Sequence, residues 1–394
     1  MHFWKMNMEK SNNTNHIKFT SNPVYSFYGL YRHCMQNPEM ATNAIKGFEN
    51  EKLMSLMEVI PEKGTNARIK SNLIQKEIVR QNISSYEGLK KLLSEYLPQE
   101  VDTLDKVLKP AFEAYSSFYD ENKEAIDKNI ETMNSTQAVY RNELTNLYKC
   151  FSISEDKQCC CYLNPFPKNK IIDGISNSEN VSMDYSLNKN EDLNNYIENS
   201  NILKRKASTP FHETTHFLFF NSQFKKDIEN ESSLQMKILL NSVIKSFEKN
   251  GNQDAKTSRD QKKIFAIGAI NEAFAACSSA LYNEKTTGQP VANKNEWYHG
   301  WKQANDLTRQ MYPLFKEYIK TGKPFDDAFA DRLSRAIKID RLKNNETYLS
   351  KENKSSIAEL RGLSTPTKVP YKAQIISKEK LQGLHYTYNS KLER

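Results

Sequence analysis

From about residue 23 to residue 148 the apolar positions fall three or four apart, as in AIKGFENEKLMSLMEVI, ARIKSNLIQKEIVRQNI, YEGLKKLLSEYL and VLKPAFEAYSSFYDENKEAIDKNIETMN. That spacing keeps one face of an α-helix apolar and predicts a helical N-terminal region over residues 1–144. Between residues 145 and 187 the period changes. LYKCFSI, CCCYLNPF and NVSMDYSL are short stretches parted by Asn, Asp, Lys, Gly and Ser, which predicts strands of a small antiparallel or mixed sheet.

Residues 188–207 are polar and asparagine-rich, a loop by composition. The helix after them has a start signal: Thr209 suits the N-cap and Pro210 the first helical position, where a missing N–H loses no partner. Further helices are expected at 233–249, 260–284, 296–320 and 325–338. Beyond residue 340 the chain is polar and lysine-rich, with Pro366 and Pro370 and little periodicity, so 339–394 is expected to be a surface-draped or mobile tail. The fold class expected is α+β and predominantly helical, with a second region over 145–338.

Composition narrows the function. With 394 residues, 38% hydrophobic and 26% charged, the chain can bury a sizeable core in two or three units. Lys5, Glu9 and Lys10 interrupt the N-terminus before an apolar run develops, so a Sec-type signal is not expected. The most apolar segment, IFAIGAINEAFAACSSALY, holds a glutamate, an asparagine and two serines, and suits a core helix better than a membrane span. These features point to the cytoplasm, or to export by a route without a Sec signal. The six cysteines do not read as a disulfide framework, and the run Cys159 to Cys161 lacks C-x-x-C spacing, so buried structural thiols are expected there. The net charge of +8 is spread out rather than gathered beside aromatics, so no nucleic-acid partner is expected.

The stretch STPFHETTHFLFF, residues 208–220, carries the chemistry. Residues four apart share a helix face, so His212 and His216 can present two imidazole nitrogens to one ion, with Glu213 placed to reach a water. The plain alternative is two histidines satisfied by hydrogen bonds on a buried helix. A catalytic zinc needs a third protein ligand. The H-x-x-G-x-x-H extension fails, because FLFFNSQ follows His216. A carboxylate is therefore expected, and Glu272 is the one charged residue in the apolar segment 264–282. Burying it as an ion is costly unless a metal or a hydrogen-bonded partner offsets the loss of water, the alternative being a Lys or Arg from another element. Glu231, Glu248 and Glu284 compete less well, since each lies among polar residues.

HETTH followed on a later helix by NEAFA resembles the gluzincin group of zinc metallopeptidases, and the order of elements over roughly residues 105–335 is similar to that of uncharacterised bacterial proteins with zincin-like cores. The resemblance implies a zincin-like domain over 145–338, zinc as cofactor, His212, His216 and Glu272 as ligands, and Glu213 as catalytic acid/base. It also implies an oxyanion-stabilising side chain, for which His299 and Tyr298 are the candidates, with Tyr282 behind them. The 55 residues between His216 and Glu272 make a longer spacer than in thermolysin-like enzymes. A strand ahead of the zinc helix, NVSMDYSL or CCCYLNPF, would hold an extended peptide by edge pairing unless both strands are internal. The expected activity is zinc-dependent hydrolysis of a peptide or protein substrate. The alternatives are a non-catalytic interaction protein with a structural or relic zinc site, and a secreted effector protease acting on one host protein.

Overall fold

A computed structural model describes residues 16–36, 45, 48, 50–57, 65–167, 174–176, 179–187, 208–249, 258–288 and 302–338. Contacts divide the chain into two compact units, Met1–Lys149 with Ile153–Thr214, and Cys150–Ser152 with Thr215–Arg394. In the first unit the strands after residue 145 pair with a strand from the N-terminus.

The first unit begins with β1 (Ile17–Thr20) and α1 (Pro23–Gln36). Then come α2 (Glu51–Met54, continuing as a 3-10 turn through Met57), α3 (Thr65–Arg80), α4 (Tyr86–Tyr96), α5 (Val101–Glu121), α6 (Lys123–Val139) and α7 (Arg141–Cys150). The apolar spacing is realised as packing. In α5 the buried residues are Val101, Leu104, Leu108, Ala111, Tyr115 and Tyr119, one stripe at three- and four-residue steps. The expected long helix through residue 134 breaks at Asn122, whose side-chain amide donates to the Phe118 carbonyl at 2.7 Å as α6 starts.

Three further strands complete the sheet: β2 (Cys159–Pro167), β3 (Gly174–Ser176) and β4 (Asn180–Leu187), in the order β1-β2-β4-β3. β1 pairs with β2, and β2 with β4, in parallel, and only the short β3 runs antiparallel to β4. The sheet is thus mixed with parallel pairing dominant, and the purely antiparallel option is corrected. A parallel pair needs a long crossover, and the helices α1 to α7 supply it between β1 and β2. LYKCFSI is not a strand. Leu144, Leu147 and Tyr148 are fully buried on α7, and the Tyr148 hydroxyl donates to the His16 carbonyl at 3.0 Å. A short apolar run does not separate strand from buried helix by period alone.

The second unit contains α9 (Gln223–Asn230), α10 (Leu234–Lys249), α11 (Arg259–Thr287), α12 (Lys302–Thr321) and a final helix, α13, over residues 327–338; α8 (Thr209–Asn221) precedes them, and the unit boundary falls within it. Their core is a cluster of phenylalanines. Phe325 has ring centroids 4.7 Å from Phe274, 4.6 Å from Phe329 and 4.9 Å from Phe151. A Ser258–Gln261 capping box opens α11, and Gly288 at φ 65°, a conformation favoured by the lack of a Cβ, closes it. By length and composition Arg259–Thr286 is apolar enough to cross a membrane; 72% of its most apolar window is buried within the protein, as in a core helix.

Candidate metal centre

α8 starts one residue earlier than the sequence signal suggests. The Ser208 carbonyl accepts from Phe211 and His212 N–H at 3.1 and 3.0 Å, so Ser208 is the N-cap, and Thr209 and Pro210 are the first two helical residues. Proline is tolerated there because the first-turn N–H groups have no intrahelical acceptor.

The helix is apolar nearly all round. Phe211 packs edge-on to Tyr140 with ring centroids 5.0 Å apart, and Phe217, Leu218 and Phe219 are buried. The polar residues that share this burial are Glu213, Thr214, Thr215 and His216, while His212 is half-buried. Such a set on an apolar helix calls for a chemical reason.

One candidate ligand atom from each of His212, Glu213 and His216 lies within 4.8 Å of the other two. His216 Nε2 stands 3.7 Å from Glu272 Oε2. Two ligands each ~2.0–2.1 Å from one tetrahedral ion stand ~3.3–3.4 Å apart, so the His216–Glu272 spacing needs only a small closure to share a metal. Glu272 lies beyond the 4.8 Å group formed by the three motif residues. The structure therefore brings it to His216, one of the two expected imidazole ligands. Buried Ala269, Ala273, Ala275 and Ala276 surround Glu272 on α11, where side chains of that size permit close helix approach.

The competing carboxylates are engaged elsewhere. Glu231 binds Arg259 and Lys263 at 3.2 and 3.1 Å, and the Lys263 bond holds its carboxyl below the usual range. Glu284 binds Lys316 at 2.6 Å. The Glu248 side chain, His299 and Tyr298 lie outside the described residues. Tyr282 is ten residues beyond Glu272 on the same helix, roughly 15 Å along its axis, which separates it from the centre; burial pushes its hydroxyl up to about 12.

Two neighbours went unnoticed in the sequence. Cys159 Sγ is 3.8 Å from Thr214 Oγ1, and the Glu213 charge, after burial and Cys159, helps to raise the Cys161 thiol well above its ordinary range. The signal was the alternation of β2, which turns Cys159 and Cys161 to one face and leaves half-buried Cys160 on the other. All six cysteines are free. The second neighbour is Phe220, four residues after His216, with ring centroids 6.4 Å apart.

Neither candidate substrate strand is an edge. β2 lies between β1 and β4, and β4 between β2 and β3. Beyond the end of β1, the Leu163 and Pro165 carbonyls of β2 accept from Ser21 and Tyr115 hydroxyls at 2.7 and 3.1 Å. The outer edge of β1 is also occupied at Ile17, whose N–H and C=O both bond the Gln137 side-chain amide. Over Cys160–Tyr162 of β2 and Val181–Met183 of β4 both sides are paired, so peptide addition to these strands is corrected there.

No protein-family model, curated protein or solved structure matches this chain. The donor set itself is two imidazoles and a nearby carboxylate, with a second carboxylate between the histidines in sequence. Nitrogen and oxygen donors of this kind suit zinc in a hydrolytic site.

Proposed function

We propose that this protein is a zinc-dependent peptidase of gluzincin type, with a zincin-like core, acting on a peptide or protein substrate. The observation that carries the reading is the grouping of His212, Glu213 and His216 within 4.8 Å on one helix, with Glu272 3.7 Å from His216. His212, His216 and Glu272 would hold the ion. Zinc, when bound, supplies Lewis acidity toward a carbonyl and makes water more acidic.

The chain's own residues do the rest. Glu213 takes a proton from the attacking water and returns it to the leaving amine, and its burial at 7% exposure limits exchange of that proton with bulk solvent. Half-buried His212 marks the side from which a substrate reaches the centre. Phe220, beside His216, supplies an apolar wall to the imidazole.

A structural or relic zinc site on a non-catalytic interaction protein is the second reading. What favours it is the burial of Glu213, His216 and Glu272 to 7, 5 and 7% exposure, since a closed structural site excludes water. Hydrolysis of a mixed peptide library by purified protein separates the two. Glu213→Gln should keep one zinc per chain and lose about 10³-fold in rate, within the span of general acid–base effects. Undiminished cleavage by this variant would falsify the mechanism, and zinc-loaded wild-type protein that cleaves nothing would favour the structural reading.

A further inference from the structure

Away from the metal centre, the second unit carries a cleft of about 450 Å³ between α10 and α13. The Ser233 hydroxyl donates to Asp327 where the two helices begin, and the cleft is lined by residues from Ile238 to Lys245 on one and from Asp331 to Lys338 on the other. Start faces start and end faces end, so the helices run side by side in the same direction. The α10 side of the groove, from Ile238 to Lys245, is roughly 10 Å long.

Its two ends differ in chemistry. Ile238, 44% exposed, lines the end nearer the helix starts, and Leu234, 67% exposed, stands one helical turn before it on α10. The far end is cationic. Arg335 is held by Asp331, whereas Lys245 and Lys338 both line the cleft and make no ion pair or hydrogen bond among the described residues. An exposed apolar side chain in a concave surface marks an interaction site, and the two lysines set the sign of what fits it.

We infer that this groove docks an acidic peptide segment, of which about three extended residues span the roughly 10 Å of lined helix. An apolar side chain covers Ile238, and carboxylates meet Lys245 and Lys338. The inference does not depend on the metal centre, and its test involves no turnover.

The test is fluorescence anisotropy of the full chain with the labelled peptide Leu-Ile-Gly-Asp-Glu-Glu. Saturable binding is expected, weakening as salt rises from about 0.02 to 0.5 M. A peptide with lysines in place of the three acids should not bind. Joint Lys245→Glu and Lys338→Glu substitution, on exposed positions that leave the melting temperature unchanged, should weaken binding at least about 10-fold, and Ile238→Ser should weaken it less. No saturable binding by the wild type, equal binding by the doubly reversed variant, or binding to phosphatidylserine vesicles without binding to the peptide would each overturn the inference.

Discussion

Asp184 in the first unit and Glu272 in the second are both buried carboxylates, 2 and 7% exposed, yet their surroundings are unlike. Asp184 accepts a 2.7 Å bond from the Asn164 amide on the adjacent strand, and Asn164 accepts a 2.9 Å bond from Ser26 on α1. Glu272 stands 3.7 Å from the His216 nitrogen, too far for a hydrogen bond and close to the separation of two atoms on one metal. Asp184 is joined to its neighbour by a short bond from a neutral amide. The His216–Glu272 spacing is wider than a hydrogen bond, and under the proposed function an ion would bridge it.

The contrast can be broken by metal titration followed in thermal unfolding. Zinc at about 100 times its dissociation constant should stabilise the wild type by ~2.7 kcal/mol, because it binds the folded chain. His216→Ala and Glu272→Ala should lose most of that increment. Equal zinc-induced stabilisation in Glu272→Ala would return Glu272 to a purely structural role. Asp184→Ala should behave in the opposite way: it strands the buried Asn164 amide, destabilises the protein by about 2 kcal/mol with or without metal, and leaves the zinc content intact.

The smallest effect concerns His16, which sharpens the picture of the first unit. Burial holds this imidazole below its ordinary value of 6.5, and its Nε2 lies 2.7 Å from Thr145 Oγ1. The unfolded chain therefore binds the proton more readily, so this group's contribution is complete above pH 6.5 and declines as the pH falls from there toward the lowered folded value. Melting temperatures between about pH 7.5 and 5 should fall less steeply for His16→Asn than for the wild type. A matching slope in both would remove His16 from the account.

Much of the fold could be read from residue spacing. The α5 stripe and strands β2 and β4 stand where apolar periodicity put them, although β4 buries its polar Asn180, Ser182 and Asp184 along with its apolar positions. Elements too short to show a period were not readable: the four residues of β1, and α9, which Ser222 caps by accepting from Lys225 N–H at 3.1 Å. Without β1 the parallel pairing could not be foreseen, because it joins residues about 140 positions apart. At the centre, the shared face of His212 and His216 follows from helix geometry alone. The approach of Glu272 to His216 depends on how the chain returns over 55 residues, which no local rule encodes; the cue was a single charge in an apolar helix.

The most direct test of the metal centre is X-ray absorption at the zinc edge of the loaded protein. The account predicts a first shell of nitrogen and oxygen alone at ~2.0–2.1 Å, with the outer scattering of two imidazoles. A sulfur shell at ~2.3 Å would put a cysteine in the site and contradict the His212, His216 and Glu272 assignment, as would zinc carrying fewer than two imidazoles.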